Sequence, residues 1–112
     1  MSDRLPSGVL VKALIRRVHD AGGSAMVLAR GDQQGGALLA LLLDRGGDPR
    51  FVERGVGGEG RPAIIRSGPR ETDDAAITDY WQRRVARDPD LWVVELDIPE
   101  AERFVAETIA LD

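Results

Sequence analysis

The chain has 112 residues, 43% of them hydrophobic and 30% charged, a balance that fits one globular domain and excludes a disordered or fibrous chain. It has no cysteine and a single histidine, His19, which excludes disulfides, thiolate chemistry and multi-histidine metal sites within one chain. The formal charge is −4, the longest apolar run (Ala37 to Leu43) is far short of the roughly 20 residues that span a bilayer, and the opening M-S-D-R-L-P-S-G has no apolar signal region, so a cytoplasmic protein without a membrane partner is expected.

The first element lies in V-L-V-K-A-L-I-R-R-V-H-D-A-G-G, Val9 to Gly23, where Val11, Leu14, Ile15 and Val18 recur at helical spacing. A helix is expected from about Gly8 to Ala21, capped by Ser7 and stopped by Gly22, although V-L-V at its start is also strand-prone. S-A-M-V-L-A-R, Ser24 to Arg30, and A-L-L-A-L-L-L, Ala37 to Leu43, read as strands with G-D-Q-Q-G-G between them as a hairpin loop. The second of these is apolar on both alternations. That predicts either a central strand covered on both faces, or one covered face and a dimer contact. R-F-V-E-R, Arg50 to Arg54, alternates like an exposed strand, G-V-G-G-E-G-R-P is a hairpin tip, and A-I-I-R, Ala63 to Arg66, is a fourth strand.

Thr72 then caps a second helix, with Asp73 and Asp74 at its positive end and Arg83, Arg84 and Arg87 at its negative end. Ile77, Trp81 and Val85 form its apolar stripe, and Asp88-Pro89 stops it. L-W-V-V-E-L, Leu91 to Leu96, is a fifth strand. Asp97 is placed to cap a last helix, Pro99 fits its first turn, and Asp97 with Glu100 has capping-box spacing. Ala101, Phe104, Val105, Thr108 and Ile109 make its apolar stripe. The order α-β-β-β-β-α-β-α, without repeat or linker, predicts a single α+β domain over residues 1–112. It should hold a mostly antiparallel five-stranded sheet with three helices on one face; the fifth strand, arriving after a helix, is open to parallel pairing.

Three segments together, L-P-S-G-V-L-V-K-A-L-I-R-R, A-R-G-D-x-x-G-G-A-L-L and R-D-P-D-L-W-V-V-E, resemble a bacterial family known as domain of unknown function 1491. The resemblance covers nearly the whole chain, and D-P-D-L-W-V-V-E is its most distinctive piece. It implies a single-domain bacterial protein and supplies no activity, substrate or catalytic residue.

The charge is divided along the chain. Residues 1–70 hold eleven bases and seven acids, net +4, and residues 71–112 hold four bases and twelve acids, net −8. The halves either attract one another within the molecule or present a basic and an acidic face to partners. Lys12 is the sole lysine, a bias that GC-rich codon usage explains.

Few motifs carry chemistry. Gly55 to Gly60 matches G-x-G-x-x-G, but a dinucleotide site needs a helix after it, and R-P-A-I-I-R reads as a strand. R-G-D, Arg30 to Asp32, is a strand end running into a turn. His19 falls on the polar side of its helix beside Asp20, and Ser2, Ser7, Ser24 and Ser67 all lie at caps or turns, so no nucleophile with a base is expected. Glu71, Asp73, Asp74 and Asp79 lack the spacing of a calcium loop, and no metal is expected. Trp81 and Trp92 both point inward by periodicity and read as core residues, with a place at a contact surface as the alternative.

The sequence therefore favours a non-enzymatic protein-interaction module, a homodimer or one that binds another protein, with Arg83, Arg84 and Arg87 as its contact residues. The alternative is a small enzyme or anionic-ligand domain using Arg54, Gly57, Gly58 and Arg61 around the glycine loop. No catalytic residue and no cofactor is assigned. Nucleic-acid binding is disfavoured by the acidic balance and by the 4% aromatic content.

Overall fold

The computed structural model describes residues 5–110. Among them the elements run α1 (Ser7–Asp20), β1 (Ser24–Ala29), β2 (Leu38–Asp44), β3 (Gly47–Val56), β4 (Pro62–Ser67), α2 (Asp74–Arg87), β5 (Trp92–Asp97) and α3 (Ala101–Ala110), which is the expected order. The strands form one sheet in the order β1-β5-β2-β3-β4. Every neighbouring pair is antiparallel except β2 with β5, which is parallel from Leu38 beside Trp92 to Leu43 beside Asp97.

β1 and β2 do not form the expected hairpin, because β5 lies between them. Trp92, Val93, Val94 and Leu96 are all buried, so β5 has apolar side chains on both faces and needs a central place. The loop that joins β1 to β2 is wide enough to admit one more strand, and it is tied to the start of β5. The Asp32 N–H donates to the Asp90 carbonyl at 2.9 Å, and the Trp92 N–H donates to the Ala37 carbonyl at 2.8 Å. The Trp92 indole N–H donates to the Asp32 carbonyl at 2.7 Å. Trp92 is 4% exposed and is a core residue, held by the Asp32 carbonyl at the end of the R-G-D triplet.

The helices occupy both faces, where one was expected. Val11, Leu14 and Val18 of α1 and Phe104, Val105 and Ile109 of α3 pack on Ala40, Leu42, Val52, Trp92, Val94 and Leu96. On the opposite face Ile77, Tyr80, Trp81 and Val85 of α2 pack on Leu39, Leu41, Phe51 and Val93. Leu39, Ala40, Leu41 and Leu42 are therefore buried within the chain, and β2 has no apolar face left for a dimer contact. β3 is less exposed than its alternation suggested. Phe51 and Val52 are buried, and its flanking charges are ion-paired.

Three caps differ from expectation. Ser7 is the first helical residue, and its hydroxyl donates to the Gly36 carbonyl at 2.6 Å. The first-turn donors of α1, Ser7 N–H and Gly8 N–H, are satisfied by the Gln34 and Gln33 carbonyls instead of by a side chain. Asp73 replaces Thr72 as the cap of α2, accepting from the Ala76 N–H at 2.8 Å. The Asp97 carboxylate turns away from α3 to accept the Arg45 and Gly46 N–H groups at 2.8 and 2.9 Å. It thereby holds the two-residue turn between β2 and β3, in which both residues have positive φ. Pro99 lies in the turn before α3 rather than within the helix. Gly22 does end α1, with φ +89°, the Gly23 N–H bonding the Val18 carbonyl and the Gly22 N–H bonding that of His19.

Trp92→Phe removes the indole donor and leaves the Asp32 carbonyl, at the mouth of the β1–β2 loop, with only the longer 3.3 Å bond from the Gly36 N–H. We expect a loss of roughly 1–3 kcal/mol in urea unfolding, larger than for Trp81→Phe, since Trp81 is only half-buried.

Candidate functional site

Two concavities and one loop among the described residues are candidates for meeting another molecule. The first is a cleft of about 510 Å³ between the start of α1, the end of α3 and the adjoining ends of β2 and β3. Leu10, Val11, Leu38 and Ile109 give it apolar walls, and Arg54 and Gln34 bring polar groups. Ser7 and Thr108 also line it, with their hydroxyls already engaged. Ser7 donates to Gly36, and Thr108 donates to the Phe104 carbonyl at 2.8 Å while accepting from Arg17 at 3.2 Å.

The second is a hollow of about 370 Å³ on the opposite face, beneath the first half of α2. Leu28, Leu41, Leu43 and Trp81 line it together with the carboxylates of Asp74 and Glu95. It exists because α2 is the one helix that covers this face among the described residues. Ile77 is the side chain it buries fully, while Tyr80, Trp81 and Val85 remain partly open. Neighbouring Met26, 55% exposed, extends the apolar surface onto β1.

The glycine loop is the tip of the β3–β4 hairpin, as expected, and runs into β4 and not into a helix. Part of its backbone is paired within the tip. The Gly57 N–H donates to the Arg61 carbonyl at 2.8 Å, and a side chain at Gly57 would press on Ala63. Arg61 lies 3.7 Å from Glu59, with both side chains exposed. Gly57, Gly58 and Arg61 thus stay at the tip, whereas Arg54 lines the cleft.

The arginines of α2 separate in the same way. Arg84 lies over the sheet and grips Glu53 of β3 through both nitrogens at 2.8 and 2.9 Å, with a further 2.7 Å bond to the Tyr80 hydroxyl. These bonds hold the Glu53 carboxyl below its ordinary value of 4.5, against the opposing effect of burial. Arg83 pairs with Asp79 at 2.9 Å on the outer surface, and Arg87 is exposed at the helix end. Only Arg84 of the three is absorbed into the fold.

His19 is exposed on α1, Ser24 is exposed at the start of β1, and Ser2 lies outside the described residues. Among the described residues no three His, Cys, Asp or Glu side chains come together as a metal site. No helix there is long and apolar enough to cross a membrane. Periodicity missed both concavities, because each is assembled from several elements. Its one available hint was Glu95, the single charge in L-W-V-V-E-L.

The chain belongs to the family described as protein of unknown function (DUF1491), whose model matches residues 5–106. It is similar to the crystal structure of a DUF1491 family protein from Caulobacter crescentus CB15, at 32% identity and a TM-score of 0.78 over 90% of this chain and 94% of that one. The NMR structure of a DUF1491 family protein from the same organism aligns at 33% identity and 0.73 over 89% and 91%. A solution structure of a protein from A. tumefaciens aligns at 31% identity and 0.67 over 87% and 88%. No curated protein matches.

A carboxyl whose folded pKa is depressed stabilises the fold above its unfolded pKa, and that contribution is lost as pH falls through the folded value. Glu53 is such a group, and so is Glu102, lowered chiefly by its hydrogen bonds from Arg50. Glu53→Gln should therefore cost on the order of 1 kcal/mol near neutral pH. It should also lose less further stability than the parent chain between about pH 5 and about pH 3, as followed by urea unfolding across that range.

Proposed function

We propose that this DUF1491 chain is a non-enzymatic protein-interaction module of the bacterial cytoplasm, with the hollow beside α2 as its contact surface. The observation that carries this reading is the half-covered sheet face. Leu28, Leu43 and Trp81 stay partly open around the hollow, and Met26 continues the patch. Tryptophan and methionine at a partly open apolar rim are the residue types that anchor protein contacts. Asp74 and Glu95 in the wall, within a C-terminal third of net charge −8, fit a partner that inserts an apolar side chain beside basic groups. Arg83 and Arg87, exposed on the same helix, add a basic zone for that partner's acids. Arg84 is left out of the contact, because its guanidinium serves Glu53.

Thr78 is exposed and lines the hollow, so Thr78→Arg fills it without touching the core. Capture of proteins from a host lysate at low salt on the tagged chain should yield a partner that Thr78→Arg loses and Ile65→Lys, on the far edge of the sheet, keeps. Equal capture by both variants would remove the hollow as the contact surface.

A second reading is an anionic small-molecule site. The 510 Å³ cleft lies within the roughly 300–1,000 Å³ range of ligand pockets, with Arg54 on its wall. Gly57, Gly58 and Arg61 would then form an outer lip at the hairpin tip. This reading expects a carboxylate or phosphorylated metabolite to raise the melting temperature of the parent chain, by about 2.7 kcal/mol of added stability at a hundredfold excess over Kd. Arg54→Met should abolish the shift, and a flat response across such a panel would exclude the reading.

A further inference from the structure

The sheet ends in two edge strands among the described residues, β1 and β4, and they are built differently. An edge strand presents unpaired N–H and C=O groups, and proteins guard such edges with charges, proline or bulges. β4 opens on Pro62, carries Arg66 and follows Arg61. β1 is S-A-M-V-L-A, without a charge or a proline, and its one irregularity is the bulge between Val27 and Ala29. Met26 is 55% exposed and Val27 37% exposed, and as neighbours along the strand they point to opposite faces of the sheet. Apolar surface is thus open on both sides of this edge, in a chain of which 30% is charged.

We propose that β1 is a docking edge for a second copy of this chain, paired antiparallel so that the sheet continues across a two-fold axis. The charges at its ends select this occupant and this direction. Arg30, exposed, directly follows β1. Asp20, also exposed, ends α1 just before β1, where the helix carries its negative pole. Antiparallel pairing centred on Met26 and Val27 sets Arg30 of each copy beside Gly23 of the other, next to Asp20 and the end of α1. Parallel pairing would set Arg30 against Arg30 and Asp20 against Asp20. The edge is therefore self-complementary in one sense only, which is the condition for an isologous dimer. The main-chain groups of β1 supply the ladder, and Met26 and Val27 supply apolar contacts on both faces. The β1 edge shares Met26 with the patch beside α2, but Thr78→Arg fills the hollow without touching the edge and Arg30→Asp changes the edge without touching the hollow, so either can fail without the other.

Analytical ultracentrifugation of the full chain between about 1 and 300 μM at low salt tests this. The expected result is a concentration-dependent monomer–dimer equilibrium. Met26→Lys and Arg30→Asp should each raise the dissociation constant about tenfold or more, the equivalent of 1.4 kcal/mol. The double variant Asp20→Arg, Arg30→Asp restores opposite charges and should recover most of the affinity lost in Arg30→Asp. Ile65→Lys on β4 should leave the dimer unchanged. All four positions are exposed, and circular dichroism checks that each variant keeps the fold. A chain that sediments as a monomer throughout overturns the proposal. So does a dimer that Met26→Lys and Arg30→Asp leave intact, or one broken by Ile65→Lys.

Discussion

Everything in this fold follows from two strands that cannot tolerate water on either side. β2 and β5 carry Leu39, Ala40, Leu41 and Leu42 and Trp92, Val93, Val94 and Leu96, all buried, with successive residues facing opposite ways. At roughly 25 cal/mol per Å² of apolar surface removed from water, two such strands side by side dominate the stability of a small domain. Placing them in parallel at the middle of the sheet requires a cover on each face. α1 and α3 form one cover and α2 the other.

The covers are held by arginine as well as by packing. Arg84 joins α2 to β3 through Glu53, and Arg50 joins β3 to α3 through a bidentate pair with Glu102 at 2.6 and 2.7 Å. Arg17 joins α1 to α3 through Glu107 and Thr108. Two of these pairs link the basic first part of the chain to the acidic last part, so a portion of the charge division is used inside the molecule. The guanidinium is suited to this work because its planar fork meets both carboxylate oxygens at once. The face with one helix is also the less complete one, and the hollow beside α2 is the direct consequence.

Several motifs have a definite place in the packing. R-G-D closes the loop over Trp92, Asp97 holds the β2–β3 turn, and the glycine run is a hairpin tip whose backbone bonds to itself. The surfaces proposed for recognition are the cleft, the hollow and the β1 edge.

The sequence by itself determined the elements, their order and most of the side chains buried in the helices and in β2 and β5. The stripes of α1, α2 and α3 and the two-sided β2 are local patterns set by periods of 3.6 and 2, and Gly22 and Pro89 mark their ends by backbone geometry alone. Tertiary structure decided what those patterns leave open. Whether β1 pairs with β2 or admits β5 depends on contacts across the chain from Asp32 to Trp92, and no local period records them. The same holds for Asp97, as suited to capping a helix as to closing a turn, and for Arg84, one of three neighbouring arginines on α2 and the one that finds a carboxylate beneath it. A polar side chain takes the partner that the packed elements bring within hydrogen-bond reach, and only the assembled sheet and its covers set that distance.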